Sequence, residues 1–113
     1  MRIIEETIVL EELKVMAKER FGNLVKAVVD IERGIMAVDG ELHADEEAML
    51  LEKGSKQENL WGINIYPEMS GEDMVEFDSM INVRPTQENY SRGVESEEIR
   101  RKIIEVVNKL LKE

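Results

Sequence analysis

The sequence predicts an α+β domain: an antiparallel β-meander of four or five strands with two amphipathic helices, one N-terminal and one C-terminal, packed on it. Three observations predict this class. Apolar residues recur at helical spacing toward both ends of the chain. Between them lie β-branched runs punctuated by Gly and Asp-Gly, and residues 75–83 alternate apolar with polar side chains. A length of 113 residues, with no internal repeat and no Pro-rich linker, points to a single domain spanning 1–113. At 42% apolar residues it can build a real but modest core.

Residues 2–8 alternate charged and apolar side chains and suggest a short strand. Residues 10–20 read as a helix, because Leu10, Leu13, Met16, Ala17 and Phe21 share a face while Glu11, Glu12, Lys14 and Lys18 fall mostly off it. Gly22 stands where a left-handed C-terminal cap belongs, whereas Val9 offers no side-chain oxygen at the other end. Residues 24–31 and 35–38 are β-branched runs joined across Glu32-Arg33-Gly34, a hairpin signal, and Asp39-Gly40 closes the second run. Residues 45–66 admit two readings. Residues 45–53 have helix-forming composition, with Gly54 as a C-cap. Alternatively, 47–52 and 60–66 are strands joined by 53–59, with Gly54-Ser55 at the turn, and this hairpin is the favoured reading. Residues 67–71 form a loop bounded by Pro67 and Gly71. Residues 75–83 give the clearest alternation and read as a half-buried strand stopped by Pro85, followed by a polar loop over 86–95. Ser96 then caps a helix with Glu97 and Glu98 in its first turn. Its apolar stripe is Ile99, Ile103, Val106, Val107 and Leu110.

Charge narrows the function classes. The balance of 15 basic against 25 acidic residues gives a net charge of −10. Such a chain lacks the basic footprint of a nucleic-acid binder and is repelled by anionic membrane surfaces. The longest apolar runs, such as 48–51, fall far short of the roughly 20 residues of a membrane helix. The charged start of the chain does not read as a signal peptide, so a cytoplasmic location is expected. The lack of Cys excludes disulfides, thiolate catalysis and Cys-bound metal. A charged fraction of 35% with only two Gln fits the composition of a thermophile's protein, although Asn and Met are not depleted.

Two polar clusters are candidates for chemistry. If residues 41–47 were extended, His43, Asp45 and Glu47 would project from one face. One imidazole and two carboxylates are ligand types for a metal and partners for acid–base work. No second His completes a selective metal site, and a solvated acidic loop is the favoured alternative. The second cluster, 84–93, leads into the N-terminus of the last helix. Arg84 and Arg92, with Ser91 beside them, could clamp a small anion. Against this, Glu95, Glu97 and Glu98 already supply anions at that helix end. Gly54-Ser55-Lys56 lacks the remainder of a phosphate-loop pattern. Trp61 and Tyr66 are two of only five aromatic residues and are the candidates for a subunit interface, although for Trp61 a core role is expected first. Asn64 and Asn82, each within an apolar run, suggest a polar contact on the sheet. The scattered Met residues read as core filling, and no cofactor is implied.

Residues 40–47 (Gly-Glu-Leu-His-Ala-Asp-Glu-Glu), 54–67 (Gly-Ser-Lys-Gln-Glu-Asn-Leu-Trp-Gly-Ile-Asn-Ile-Tyr-Pro) and 91–94 (Ser-Arg-Gly-Val) resemble a family of small stand-alone prokaryotic proteins known only as a domain of unknown function. The resemblance covers nearly the whole chain. It implies a compact single domain, carries no assigned activity and no catalytic residues, and favours a strand–turn–strand for 45–66. Two functions remain as expectations. The first is a non-catalytic binding or protein-interaction module whose partner is itself, as a homo-oligomer, or another protein. The second is a small-molecule or metal-dependent site, with hydrolysis among its chemistries, in which His43, Asp45 and Glu47 act with Arg84 and Arg92 on an anionic ligand. The second requires the two clusters to meet.

Overall fold

The central β-branched runs pair as their pattern demands. A computed structural model describes residues 1–113. In it Val25–Asp30 (β3) and Ile35–Val38 (β4) form an antiparallel hairpin, with Ala27 opposite Val38 and Asp30 opposite Ile35. Buried Asp30 organises the turn: its Oδ1 accepts the backbone N–H groups of Glu32 and Arg33, both at 2.9 Å. Gly34 completes the turn at φ +68°, a conformation that strains any side chain. Arg2–Ile4 (β1) pairs with the outer edge of β4, and Leu60–Ile65 (β5) with the other edge of β3. Val75–Glu76 (β6) adds a short edge beyond β5. The order β1-β4-β3-β5-β6, antiparallel throughout, settles what the sequence left open. Ile8–Val9 (β2) and Leu111–Lys112 (β7) form a separate two-stranded parallel pair.

Alternation gives the sheet two different faces. Val25, Ala27, Val29, Met36, Val38, Trp61, Ile63 and Ile65 make one continuous apolar face. The two expected helices cover it. Leu10–Arg20 (α1) contributes Leu13 and Ala17, and Glu97–Leu110 (α3) contributes Ile103, Val106, Val107 and Leu110. At about 25 cal/mol per Å² of apolar area, this burial is the main favourable term in the fold. Ser96 caps α3, its hydroxyl accepting the Ile99 N–H at 3.2 Å, while α1 starts after Val9 with no side-chain cap. Trp61 is 1% exposed and belongs to this core, so its ring is not available to a subunit interface.

The opposite face is covered as well, by a third helix, and here the hairpin expected over 45–66 is corrected. His43–Glu52 (α2) is helical, and only 60–65 is a strand. The helix ends in a Schellman motif: the Ser55 N–H donates to the Leu50 carbonyl, the Gly54 N–H to that of Leu51, and Gly54 adopts φ +97°. The residues α2 buries are His43, Glu46 and Leu50. Two of these three are polar, so the apolar period that betrays α1 and α3 is missing. Leu50 alone anchors the helix to Val28, Ile35, Ala37 and Leu60.

The strand expected over 75–83 is also corrected. Only Val75 and Glu76 are paired, and Met80–Asn82 forms a 3-10 turn. The Ser79 hydroxyl accepts the Ile81 N–H at 3.2 Å and bends the chain out of the sheet. Val75 and Phe77 still pack on the large core, while Ile81 packs on the small one. The chain therefore rolls over the β5 edge from one face to the other. Asn82 takes the place of the missing strand. Its Oδ1 accepts the Gly62 N–H at 2.8 Å, and its Nδ2 donates to the Gly62 carbonyl at 3.0 Å. Gly62 permits this approach, because a Cβ there would lie 2.6 Å from Ser79 Cβ.

Candidate functional site

The helical form of α2 redistributes the first cluster. At 100° per residue, positions 43 and 47 stay on one side while position 45 turns away. His43 reaches the sheet at the Ile63 carbonyl, and Glu47, one turn on, buries its Oε2 on the same side of the helix. Asp45 lies with Arg20, Asp39, Gly40 and Glu41 around an open depression of about 490 Å³ on the far flank. The row of three ligands that an extended chain would present does not form. No group of three or more His, Asp or Glu side chains comes together closely enough to hold a metal ion.

His43 is 8% exposed, and its Nε2 donates to the Ile63 carbonyl at 2.8 Å, which fixes the Nε2–H tautomer of the neutral ring. Burial holds its pKa below the usual value, against the opposing effect of the Ile63 bond. Lys26 and Arg92 push it further down and Asp78 pushes it up. His43 is thus a neutral structural donor between α2 and β5. Glu47 lies near enough to Arg84 to oppose the lowering that burial imposes on that guanidinium. No hydrogen bond or ion pair joins the two clusters: Glu47 acts on Arg84 only through its charge, and Arg84 itself stacks on Trp61.

Most of the polar groups of the second cluster serve the fold itself. Arg84 is 8% exposed. Its guanidinium donates to the Gln57 and Leu60 carbonyls and to Gln87 Oε1, and its Cζ lies 4.1 Å from the centroid of the Trp61 ring. It is a buried clamp on the start of β5, turned away from any anion in solution. Arg92 is exposed and pairs with Asp78 at 2.7 Å. The Ser91 hydroxyl accepts the Gly93 N–H at 3.2 Å. The Tyr90 and Ser91 N–H groups, which could have held an anion, both donate to the Glu95 carboxylate. The acidic residue that the sequence sets beside this helix end fills the anion position. Tyr66 is half-buried, and its hydroxyl donates to Glu76 Oε1 at 3.0 Å, an oxygen that also accepts from Asn64 Nδ2 at 2.9 Å. Burial, then that hydrogen bond, raises the Tyr66 pKa. Glu47 Oε2 and Asn64 Oδ1 remain buried without a partner.

Sequence reasoning missed several residues that organise this region. Asn89 is 3% exposed. Its Nδ2 donates to the carbonyls of Asn82, Ser91 and Gly93, and its Oδ1 accepts the Glu95 N–H at 2.8 Å. Ser55 donates to Asp30 Oδ2 at 2.6 Å, joining the end of α2 to the β3–β4 turn. Glu46 is fully buried, with Oε2 accepting the Gly40 N–H at 2.9 Å and Oε1 unpartnered. Burial pushes its pKa up to about 9, against that hydrogen bond. The only advance signal was compositional: Asn82 interrupting an apolar run.

A different kind of surface opens on the other side of the molecule. Between α3 and the 69–75 segment lies a groove of about 750 Å³ with a largely apolar lining that includes Leu10, Met74, Val75, Ile104, Val107 and Leu111. It continues along α3 past Val75 and Ile104 into a second depression of about 580 Å³ at Phe77. No helix is long and apolar enough to cross a membrane. No curated protein and no solved structure matches the chain. A family model described as "Protein of unknown function (DUF5674)" matches residues 2–110.

Proposed function

The chain belongs to this family of proteins of unknown function, DUF5674, and we propose, from its own chemistry, that it is a non-catalytic protein-interaction module. One observation carries the reading: the apolar-lined groove beside α3 is open, at about 750 Å³. Met69 stands at its mouth, 48% exposed. An apolar concavity of this size on a strongly charged chain fits a face that another protein covers. The polar clusters support the same reading, since Arg84, Ser91, Arg92 and His43 are engaged by neighbours in the fold.

The test is site-specific photo-crosslinking in a host that expresses the protein, with a photoreactive residue at Met69 or, as control, at exposed Leu51 on α2, across the sheet from α3. A discrete protein adduct from position 69 and none from 51 is the expected result. Equal labelling from both positions, or none from 69, would overturn the reading.

A second reading is a small-ligand site at the α2 side, favoured by two unpartnered buried oxygens: that of Glu47, one helical turn after His43, and that of Asn64, next to the Ile63 whose carbonyl His43 holds. Native mass spectrometry separates the two. A retained metal or small molecule that His43→Gln releases would support the ligand site. A bare chain mass would argue for the interaction module.

A further inference from the structure

The groove beside α3 also has a charge pattern, and with it we infer the occupant: a basic amphipathic helix of another protein. This inference rests on the interaction-module reading above. The wide part of the groove is lined by Glu72 and Glu113 with no Lys or Arg. Its continuation adds Glu97 and Glu105, with Arg100 and Arg101. Arg101 pairs with Glu105 at 2.8 Å, while Arg100 donates to the neutral carbonyls of Val94 and Glu95 and keeps its charge, one cation against three unpaired carboxylates. None of the ion pairs in the protein uses Glu72, Glu97 or Glu113. The result is an apolar floor with unpaired carboxylates on its rim.

That arrangement selects among occupants. A second copy would bring the same carboxylates toward each other on chains of net charge −10. A segment with an apolar face flanked by Lys or Arg gains on both counts. The shape favours a helix. Ile104 and, just past the end of α3, Leu111 are part-exposed apolar side chains with buried Val107 between them, an elongated apolar strip along which an amphipathic helix can lie. The 14 residues of α3 span roughly 21 Å at 1.5 Å per residue, which matches a helical segment of about four turns. Met69 and Met74 on the facing wall supply the adaptable thioether surface such grooves use.

The test uses the full chain and a fluorescein-labelled synthetic 15-residue peptide of Leu and Lys at helical spacing, read by fluorescence anisotropy. Two control peptides accompany it, one a scramble of the same composition and one with Glu in place of every Lys. The patterned basic peptide is expected to bind at least about tenfold more tightly than either control. Its affinity should weaken with added salt. The double variant Glu72→Lys/Glu97→Lys, exposed on the rim, should lose about tenfold in affinity and most of the salt dependence. Ile104→Ser should weaken binding while circular dichroism stays that of the wild type.

Equal binding of the acidic patterned peptide would overturn the basic occupant and leave the interaction module standing. Failure of both patterned peptides to bind, or indifference of binding to Ile104→Ser, would overturn the groove as a docking face. A concentration-dependent dimer abolished by Ile104→Ser would name a second copy as the occupant and overturn the inference.

Discussion

Glu46 is a carboxyl that folding forces to take up a proton. It is fully buried beneath the Asp39–Gly40 turn, with Lys26 and Asp39 among the charges that act on it. Its pKa rises from 4.5 to about 9, mainly because burial disfavours the anion. A raised folded pKa means stability that is fully present below pH 4.5 and is lost as the pH climbs through about 9. Each pH unit inside that window costs about 1.4 kcal/mol. From pH 7 to pH 8.5 the loss is therefore about 2 kcal/mol, a large share of the stability of a domain this size. Glu46→Gln keeps an oxygen for the Gly40 N–H and has no proton to lose. Urea unfolding of both proteins at pH 7 and 8.5 measures the difference. The wild type should weaken by about 2 kcal/mol more than the variant across that interval. Parallel pH dependence in the two proteins would refute a neutral carboxyl at this position.

The remaining predictions concern the α2 side of the sheet. Asn82→Ala removes the partner of both Gly62 backbone groups and should destabilise by about 2–4 kcal/mol in urea unfolding. Asn82→Asp should not rescue it, because a carboxylate cannot donate to the Gly62 and Arg92 carbonyls that Nδ2 now serves. Gly62→Ala sets a methyl group 2.6 Å from the buried Ser79 and should cost about 1–3 kcal/mol, with Ser79→Gly in the same chain recovering part of the loss. His43, with its lowered pKa, contributes stability that is present above pH 6.5 and lost as the pH falls below it. His43→Gln, whose amide can donate to the Ile63 carbonyl, should flatten the acid side of a melting-temperature profile. An unchanged acid slope would show that His43 does not carry it.

What could be read in advance, and what could not, follows from how each element is held. The helices α1 and α3 and the β3–β4 hairpin each bury a face made almost wholly of apolar residues, so their periods stand in the sequence. Ser96 and Gly34 marked the ends where caps and turns require them. The helix α2 was misread because it buries His43 and Glu46 beside a single Leu. Residues 75–83 were misread for the opposite reason. Their alternation is real, but Ser79 and Asn82 use side-chain hydrogen bonds to do the work of a backbone ladder. The candidate site followed the same logic. Residue types showed where positive charge, hydroxyls and carboxylates were dense, but not which of them the fold had already paired.

The local code of this protein thus determined its class, its terminal helices, its central hairpin and its acidic character, because each depends on periodicity, caps or charge within a few turns of chain. Tertiary structure alone decided the strand order, the third helix, the neutral state of Glu46, the use of Arg84 as an internal clamp and the apolar groove along α3. Each of these depends on which distant residue supplies a hydrogen bond or excludes water. Gly62 meeting Asn82 and Gly40 meeting Glu46 are pairings across 20 and 6 residues that no local pattern encodes.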